Sequence, residues 1–413
     1  MQIIYERCCG LDIHKKLIVA CLLTPGRGGG RHKEVRRFGT MTADLVLLAE
    51  WLRAAGCTHV AMESTGIYWR PIFNVLEDVC EVLIVNAQHI KGLPGRKTDV
   101  ADAEWIADLL QHGALRASYI PGRAQRELRD LTRHRSTLVE ERARVVNRLQ
   151  KVLEDANIKL AGVATDIMGA SARDMLAAII GGETDAARLA DLARGCLRAK
   201  HDQLEQALAG RVRPHHRFLL AEHMGHIAYL EEAIARLNQE IALRLRALQE
   251  DMDLLIELLD TIPGVSRRVA EVLLAEIGAD LTRFPSAPHL ASWAGLCPGN
   301  HESAGKRQTG RTRKGSRWLR HTLIEAAHAA SRSKNTYLGA QYRRLAARRG
   351  TKKAEVALAH SILVIAYHVL TRKEPYRDLG PNYFDEHDRQ AVERRLVRRL
   401  EKLGLKVTIQ PAA

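Results

Sequence analysis

The hydrophobic pattern divides the chain into a mixed first part and a helical remainder. Short apolar runs predict strands over about the first 115 residues, and leucines at helical spacing predict a helix between two of them. The predicted strands are residues 3–5, 17–23, 35–40, 59–62 and 82–85, and the predicted helices are residues 45–52, 68–77 and 100–110. The order β-β-β-α-β-α-β-α indicates one mixed sheet flanked by helices.

Two later segments have the 3-4 spacing of a helical seam, residues 128–152 and 227–241. Residues 162–195 predict short helices that join them. We therefore expect an antiparallel helical arm, either a coiled coil or a bundle, with dimerisation as a consequence. From residue 258 onward the pattern is helical with basic loops, and it ends in an Arg-rich amphipathic helix near residues 388–403.

The predicted fold class is α/β plus all-α. The expected domains are residues 1–120, 121–254, 255–372 and a basic tail at 373–413. No stretch has the roughly 18 uninterrupted apolar residues of a spanning helix, so no membrane partner is expected. The seven cysteines are odd in number and form no CxxC pair, which favours reduced thiols in a cytoplasmic protein.

Composition adds a strong basic charge, and the charge is local. Lys and Arg total 63 against 48 Asp and Glu, a formal net charge of +15. The segment from Ser303 to Lys353 has fifteen basic residues and a single acid, Glu325, so it alone contributes +14. A block of one sign interleaved with Trp and Tyr favours a nucleic-acid surface over a merely solubilising one.

Four acids of the first domain are candidates for metal chemistry: Asp12, Glu63, Asp99 and Asp102. Glu63 follows a predicted strand, Asp12 lies between two of them, and the last two share one face of a helix start. Acids from strand ends and a helix start can converge to hold a pair of Mg²⁺ ions for phosphoryl transfer. Taken singly, each acid has a structural alternative, as a turn cap or as a helix-dipole residue.

The last third has two loops of interest. An apolar residue, Pro263-Gly264, another apolar residue and then a helix is the pattern of a helix-hairpin-helix, whose turn can bind a DNA phosphate. The alternative is an ordinary turn between helices. Ser303 is a small hydroxyl in a Gly-flanked loop at the start of the basic block, as a serine nucleophile requires. No adjacent base is visible, however, and loop serines are common.

The motifs Gly10-Leu11-Asp12-Ile13-His14-Lys15, Met62-Glu63-Ser64-Thr65-Gly66-Ile67-Tyr68 and Lys97-Thr98-Asp99-Val100-Ala101-Asp102-Ala103 resemble the N-terminal signature of the DEDD transposases of the insertion sequence 110/1111 family. Residues 294–323 resemble the C-terminal transposase domain of that family. The resemblance covers roughly residues 8–120 and 255–370. It implies an RNase H-like catalytic domain, a coiled-coil-like arm and a helical transposase domain with a helix-hairpin-helix-like turn.

The resemblance also implies a Mg²⁺ site made of the four acids and a nucleophilic serine at Ser303. The family usually has Gly directly after this serine, whereas Ala304 intervenes here, and Ser316 and Thr309 are the nearest rivals. The expected partners are donor and target DNA, a guide (bridge) RNA and further copies of the chain in a dimer or tetramer. The expected location is the cytoplasm, in association with the nucleoid. The expected nucleic-acid contacts are Lys97, Gly264, Lys306, Arg307, Arg311, Arg313, Lys314, Arg317 and Arg320.

The predicted function is therefore that of an insertion-sequence recombinase that cuts and exchanges DNA strands. Two alternatives remain open. One is a metal-dependent Holliday-junction resolvase or nuclease that uses water in place of a serine. The other is a nucleic-acid-binding protein without enzymatic activity, whose acids are structural.

Overall fold

The computed structural model describes residues 2–26, 30–86, 99–248, 251–299, 301–303, 306–310 and 312–409; for 301–303 and 306–309 it describes the backbone. The chain forms two compact units, Met1–Pro121 and Gly122–Ala413. Among these residues the first unit is α/β and the second is helical apart from one small hairpin, in agreement with the predicted class.

A mixed sheet forms the centre of the first unit. Its strands are β1 (Cys8–Ile13), β2 (Ile18–Pro25), β3 (Arg31–Phe38), β4 (His59–Glu63), β5 (Glu81–Val85) and β6 (Ala117–Ser118). They lie in the order β3-β2-β1-β4-β5-β6. The inner strands β1, β4 and β5 are parallel, and the remaining pairs are antiparallel.

Helices cover both faces of this sheet. They are α1 (Thr42–Ala54), α2 (Trp69–Leu76) and α3 (Asp99–Gln111). One core contains side chains of α1 and α2 with Cys9 and Leu11, and the other contains side chains of α3 with Cys8. Alternate residues of β1 thus enter different cores, as the period of a strand requires.

The prediction of a first strand at residues 3–5 was wrong. The strand is Cys8–Ile13, and its adjacent cysteines are buried within it rather than beside it. Gly10 and Asp12 interrupt the apolar pattern of this segment, and both residue types are rare in strands. Each of the two has a specific place in the structure that outweighs this low propensity.

Gly10 allows α3 to lie directly on β1. A Cβ atom at this position would lie 2.3 Å from the carbonyl oxygen of Ala103 and 2.4 Å from the amide nitrogen of Ala107. Both are backbone atoms of α3, so no side-chain rotation could relieve the overlap. The close packing in turn fixes the start of α3, where Asp99 and Asp102 lie, relative to β1.

We expect Gly10→Val to lower the free energy of unfolding by about 3 kcal/mol or more, because α3 must move off the sheet. Urea unfolding followed by circular dichroism measures this change. Gly30→Ala is the matched control, since nothing lies within 4 Å of a Cβ at that position, and its effect should stay below about 1 kcal/mol. Equal effects of the two substitutions would contradict the close-packing role of Gly10.

The second unit begins with a long antiparallel helical hairpin. Its two long helices are α4 (Arg123–Asp155) and α9 (Pro214–Leu248), and between them lie α5 (Leu160–Val163), α6 (Ala170–Gly181), α7 (Ala186–Asp191), a 3₁₀ helix (Gly195–Lys200) and α8 (His201–Leu208). The predicted helical seams fall on α4 and α9. Arg142 in one seam donates two hydrogen bonds to Glu231 of the other, at 2.9 and 2.6 Å.

The remaining helices are α10 (Met252–Asp260), α11 (Arg267–Ile277), α12 (Ala287–Trp293), α13 (Arg317–Ser331), α14 (Tyr337–Arg349), α15 (Thr351–Arg372), α16 (Tyr383–His387) and α17 (Arg389–Glu401). Strands β7 (His301–Ser303) and β8 (Lys306–Thr309) form a two-stranded hairpin before α13. Two hydrophobic cores result. One lies in the arm, between Val145 and Leu230, and the other joins Leu128 to side chains of α9–α15.

Helix α15 is the one described helix long and apolar enough, by length and composition, to cross a membrane. Its apolar side chains form part of the second core of the helical unit. The buried ones are Ala354, Leu358, Ala359, Ile362, Leu363, Ala366, Val369 and Leu370. Burial in a protein core accounts for this composition.

Buried ion pairs join α4 to α11. Arg135 donates to Glu271 at 2.5 Å, and both side chains are almost fully buried. Arg133 forms a two-point contact with Glu276, with nitrogen–oxygen distances of 2.7 and 3.0 Å. Because an acid buried without its cation would be costly, these pairs hold the two helices in one relative position.

Candidate active site

Two predicted acids come together at the carboxyl end of β1. Asp12 is the fifth residue of that strand, and Asp99 is the first residue of α3, which packs over it. His14 lies between them: its Nε2 atom is 3.0 Å from Asp12 Oδ2 and 3.5 Å from Asp99 Oδ1. The three ligand atoms all lie within 4.8 Å of one another, close enough to bind one metal ion.

His14 is the residue of this group that had no predicted role. A hydrogen bond of 2.9 Å from its backbone N–H to the carbonyl of Leu17 closes the tight turn between β1 and β2. The turn keeps the imidazole next to Asp12. The spacing of Asp12 and His14 could have indicated their contact, because residues at positions i and i+2 along a strand project to the same side of a sheet.

The electrostatics of Asp12 favour a nearby cation. Burial raises the pKa of its carboxyl above the usual range, and the carboxylates of Asp99 and Asp102 raise it further, while His14 lowers it. The ionised form of Asp12 is therefore disfavoured unless a positive charge is close. A bound divalent cation would supply that charge, and the oxygen atoms of Asp12 and Asp99 are ligands that hard cations prefer.

The other two predicted acids, Glu63 and Asp102, are not among the three residues whose ligand atoms lie within 4.8 Å of one another. Glu63 ends β4, which pairs in parallel with β1 up to Leu11–Met62, so Asp12 and Glu63 each directly follow the last paired residues. Alternation along the strands puts both acids on the sheet face that α3 covers. Asp102 lies one turn into α3 and is close enough to affect the pKa of Asp12. The predicted contact Lys97 lies outside the described residues.

The candidate nucleophile lies on the β7–β8 hairpin of the other unit. Ser303 is the last residue of β7 and pairs with Lys306, and Glu302 pairs with Arg307. The side chains of these residues, together with all of Arg311, lie outside the described part of the structure. The backbone therefore puts Ser303 at the tip of a hairpin, next to two of the predicted phosphate contacts.

The base of the hairpin is closed by backbone and side-chain contacts. Pro298 and Thr312 form an antiparallel bridge across it. Arg320 of α13 donates to the Oγ1 atom of Thr312 at 2.7 Å and to the carbonyl of Gly295 at 3.4 Å. Arg320 thus contacts the loop itself, a role that its prediction as a nucleic-acid contact did not include.

Ser316, a rival for the nucleophile, has a structural role. Its Oγ atom donates to Glu276 Oε2 at 3.0 Å and accepts a hydrogen bond of 3.3 Å from the amide of Leu319. The hydroxyl is therefore the N-terminal cap of α13, bound to a buried acid. Both contacts orient the start of α13 just after the basic loop.

The remaining predicted contacts of the basic segment are exposed. Arg313, Lys314 and Arg317 are open to solvent, and the guanidinium of Arg317 lies 4.4 Å from the ring centre of Trp318. A cation held over an indole ring keeps its charge and loses some freedom, which suits phosphate binding.

Gly264 packs against α13. Its φ angle is +85°, and a Cβ atom there would lie 2.3 Å from the carbonyl oxygen of Ala326. The positive φ angle and the close approach of α13 both require glycine at this position. Phosphate binding by the same turn stays a prediction.

A second group of acid and histidine side chains lies where the start of α9 meets the end of α4. His216 is buried, and Asp155 and His215 lie next to it. The ligand atoms of these three residues all lie within 4.8 Å of one another. The backbone N–H of Arg213 donates to His216 Nδ1 at 3.2 Å, so the ring proton is on Nε2, which donates to Asp155 at 2.8 Å. Both ring nitrogens are engaged, and the group serves to join the end of α4 to the start of α9.

Two family models match the chain: the first covers most of the α/β unit and continues through α4, and the second lies within the helical unit. Residues 9–158 match a model described as a transposase, and residues 256–343 match the transposase family IS116/IS110/IS902. The transposase for insertion sequence element IS1111A of Coxiella burnetii is 25% identical over 304 residues, which cover 71% of this chain and 72% of that protein.

Two further relatives match over shorter segments. The pilin gene-inverting protein of Moraxella lacunata is 30% identical over 36% of this chain and 47% of its own length. A 43.6 kDa protein of insertion element IS110 from Streptomyces coelicolor is 40% identical over 20% of this chain and 22% of its own length. This chain thus spans less than half of these two relatives.

An α/β unit with an acidic centre and a helical unit with a basic loop, each matched by a transposase model, define the protein as a transposase. The chain belongs to the IS110/IS1111 family of insertion-sequence transposases. Membership implies DNA as the substrate and DNA recombination as the general activity, and it suggests a divalent metal.

Proposed function

We propose that the protein is a recombinase that cuts and rejoins DNA with a metal-dependent acidic site and a serine nucleophile. The observation that carries the proposal is the meeting of Asp12 and Asp99 at the carboxyl end of β1, in a chain of this family. An RNase H-like fold for the first unit is supported by its strand order, with an antiparallel β1–β2–β3 meander beside the parallel strands β4 and β5.

Asp12, Glu63, Asp99 and Asp102 would hold Mg²⁺, the cation that carboxylate ligands and phosphate substrates favour. Bound there, a pair of ions stabilises the attacking and leaving oxygens of an in-line displacement at phosphorus. His14 is hydrogen-bonded to Asp12 and orients its carboxylate.

In the proposed reaction the Oγ atom of Ser303 attacks a DNA phosphorus. The Oγ–P bond forms, the bond from phosphorus to one deoxyribose oxygen breaks, and that oxygen leaves as a hydroxyl after taking up a proton. The serine gives up its own proton to solvent or to a nearby base. A second DNA strand then attacks the phosphoserine ester with its hydroxyl, which rejoins DNA and releases the serine.

The basic segment from Ser303 to Lys353 would hold the phosphate backbone during this exchange, and its charge of +14 favours binding to any nucleic acid. A guide RNA, as the resemblance implies, would select the DNA sites. We further propose a dimer or tetramer held by the α4–α9 arm, acting in the cytoplasm at the nucleoid.

The test is recombination between supercoiled donor and target plasmids by the purified protein with its copurified RNA. We expect joined products in about 5 mM Mg²⁺, none in excess EDTA, and recovery when Mg²⁺ is added back. Junction sequencing measures the products. Recombination at an unchanged rate in EDTA would contradict the metal site, and DNA cleavage without a covalent protein–DNA adduct would favour a nuclease that uses water.

A further inference from the structure

Helix α17 (Arg389–Glu401) has one strongly cationic face. Arg394, Arg395, Arg398, Arg399 and the following Lys402 occupy positions i, i+1, i+4, i+5 and i+8, which fall on one side of a helix. Their side chains surround a groove whose floor is Ala391. At 1.5 Å per residue, the five cations extend over about 12 Å of helix.

These cations have no acidic partners within the part of the chain that the structure describes. Glu393 lies on another face of the helix and pairs there with Arg389 at 2.9 Å. Arg394 donates to the backbone carbonyl of Gln390 at 3.2 Å, a contact that leaves its charge unneutralised. Five like charges on a short helix repel one another, so a polyanion that lies along them is bound favourably.

The tail that leads to this helix is anchored on the basic segment. Asp378 accepts hydrogen bonds from the amides of Tyr337 at 3.0 Å and Gly380 at 2.7 Å, the first of these at the start of α14. The ring of Phe384 stacks on the ring of Tyr337 with centres 5.1 Å apart. The guanidinium of Arg344 lies 5.5 Å from the centre of the Phe384 ring.

A further contact holds the tail to the rest of the helical unit. The amide of Tyr376 donates to Thr261 Oγ1 at 2.9 Å, just before the helix-hairpin-helix-like turn. The tail therefore begins beside α14, which carries Arg343, Arg344, Arg348 and Arg349 of the basic segment. The two basic surfaces belong to the same helical unit.

We propose that α17 is an additional phosphate-binding element, which holds the backbone of a nucleic-acid duplex next to the one bound by the basic segment. The proposal rests on the proposed function, since it assumes a protein that acts on nucleic acid, and it assigns a role to a part of the chain outside residues 9–158 and 256–343. A DNA duplex carries one charge per about 1.7 Å of axis, so about seven phosphates lie within the length of the cationic face.

Nucleic acid fits better than a membrane or a second copy of the chain. The opposite face of α17 bears Val392, Leu396 and Leu400, an apolar stripe of two turns that is partly exposed. Membrane helices of this kind use both faces, and a helix pair would use the apolar one. The cationic face has five charges, and the tail that leads to it packs on α14 of the basic segment, which favours the phosphate backbone.

The test uses the full-length protein with the five cations changed to Gln (R394Q, R395Q, R398Q, R399Q and K402Q). Gln keeps a high helix propensity, so α17 should still form. Binding to a random-sequence DNA duplex and to an RNA duplex of the same sequence is measured by fluorescence anisotropy at several salt concentrations. We expect at least about tenfold weaker binding to one or both duplexes near 0.1 M salt, and a salt slope reduced by about 3–5.

Two control variants separate the faces of the helix. Changing the four arginines to Lys keeps the charge and should retain the salt slope, whereas L396Q with L400Q removes the apolar stripe and should leave duplex binding unchanged. The proposal is overturned if the Gln variant binds both duplexes as the wild type does. It is also overturned if only the apolar variant loses binding to DNA, to vesicles of anionic phospholipid or to a second copy in sedimentation.

The outcome is distinguishable from a failure of the proposed function. If wild-type protein recombines plasmids while the Gln variant binds duplexes normally, the role of α17 alone is wrong. If wild-type protein binds both duplexes and the Gln variant does not, α17 has this role even where no recombination occurs.

Discussion

Asp12→Asn is expected to lower recombination by about 1000-fold or more while leaving DNA binding intact. The substitution removes the charge of the most buried acid of the Asp12–His14–Asp99 group and keeps its size. A loss of about 4 kcal/mol of transition-state stabilisation corresponds to this factor, and a metal site of lowered charge accounts for such a loss. Rates of product formation and duplex affinity are measured side by side.

The melting temperature gives this prediction a second readout. Burial disfavours the ionised carboxyl of Asp12, so the neutral Asn should be as stable as the wild type or more stable without divalent ions. Only the wild type should then gain stability from Mg²⁺. Glu104→Gln is the matched control, since Glu104 lies on the same helix α3 and forms a surface pair with Lys33 at 2.8 Å. Wild-type activity of Asp12→Asn would mean that the acid is structural.

Ser303→Ala is expected to abolish recombination, with a loss of about 1000-fold or more, and to eliminate the covalent protein–DNA adduct. Without the hydroxyl no Oγ–P bond can form, whereas DNA binding should persist. The adduct is measured on denaturing gels with end-labelled DNA after the reaction is stopped with detergent. The labelled strand should comigrate with protein for the wild type alone.

Ser316→Ala is the control that the structure selects. Its hydroxyl caps α13 and binds Glu276, so the variant should lose roughly 1–2 kcal/mol of stability and still form the adduct. An adduct that survives Ser303→Ala but disappears with Ser316→Ala would transfer the role of nucleophile to Ser316. Loss in both variants at a temperature where both are folded would leave neither serine distinguished, and the adduct peptide would then be identified by mass spectrometry.

The order of elements in the first unit could be predicted because each element has its own local period. Leu45, Leu48 and Leu52 face one core from α1, and the 3-4 spacing of residues 128–152 and 227–241 predicts helices that the structure has as α4 and α9. The first strand was misplaced because Gly10 and Asp12 serve a helix contact and a charged site rather than strand formation. Local propensity fails where a residue is retained for a contact distant in sequence.

The acids of the site could be proposed from their places at strand ends and a helix start, but their partners could not. His14 comes into contact with Asp99 across 85 positions, and Glu276 meets Arg133 across 143. His216 pairs with Asp155 across 61 positions. Such pairs depend on how helices and strands cross, which no window of sequence contains.

Helix α4 passes through both hydrophobic cores of the helical unit. Leu128 near its start is buried with α9–α15, while Val145, Leu149 and Leu153 near its end are buried in the arm. A fragment that began at residue 255 would expose the surface of α11 that Arg133 and Arg135 now cover, and the buried Glu276 would lose its arginine partner while Glu271 would keep only Arg267. The arm and the segment that carries Ser303 should therefore be produced together, from residue 122 onward.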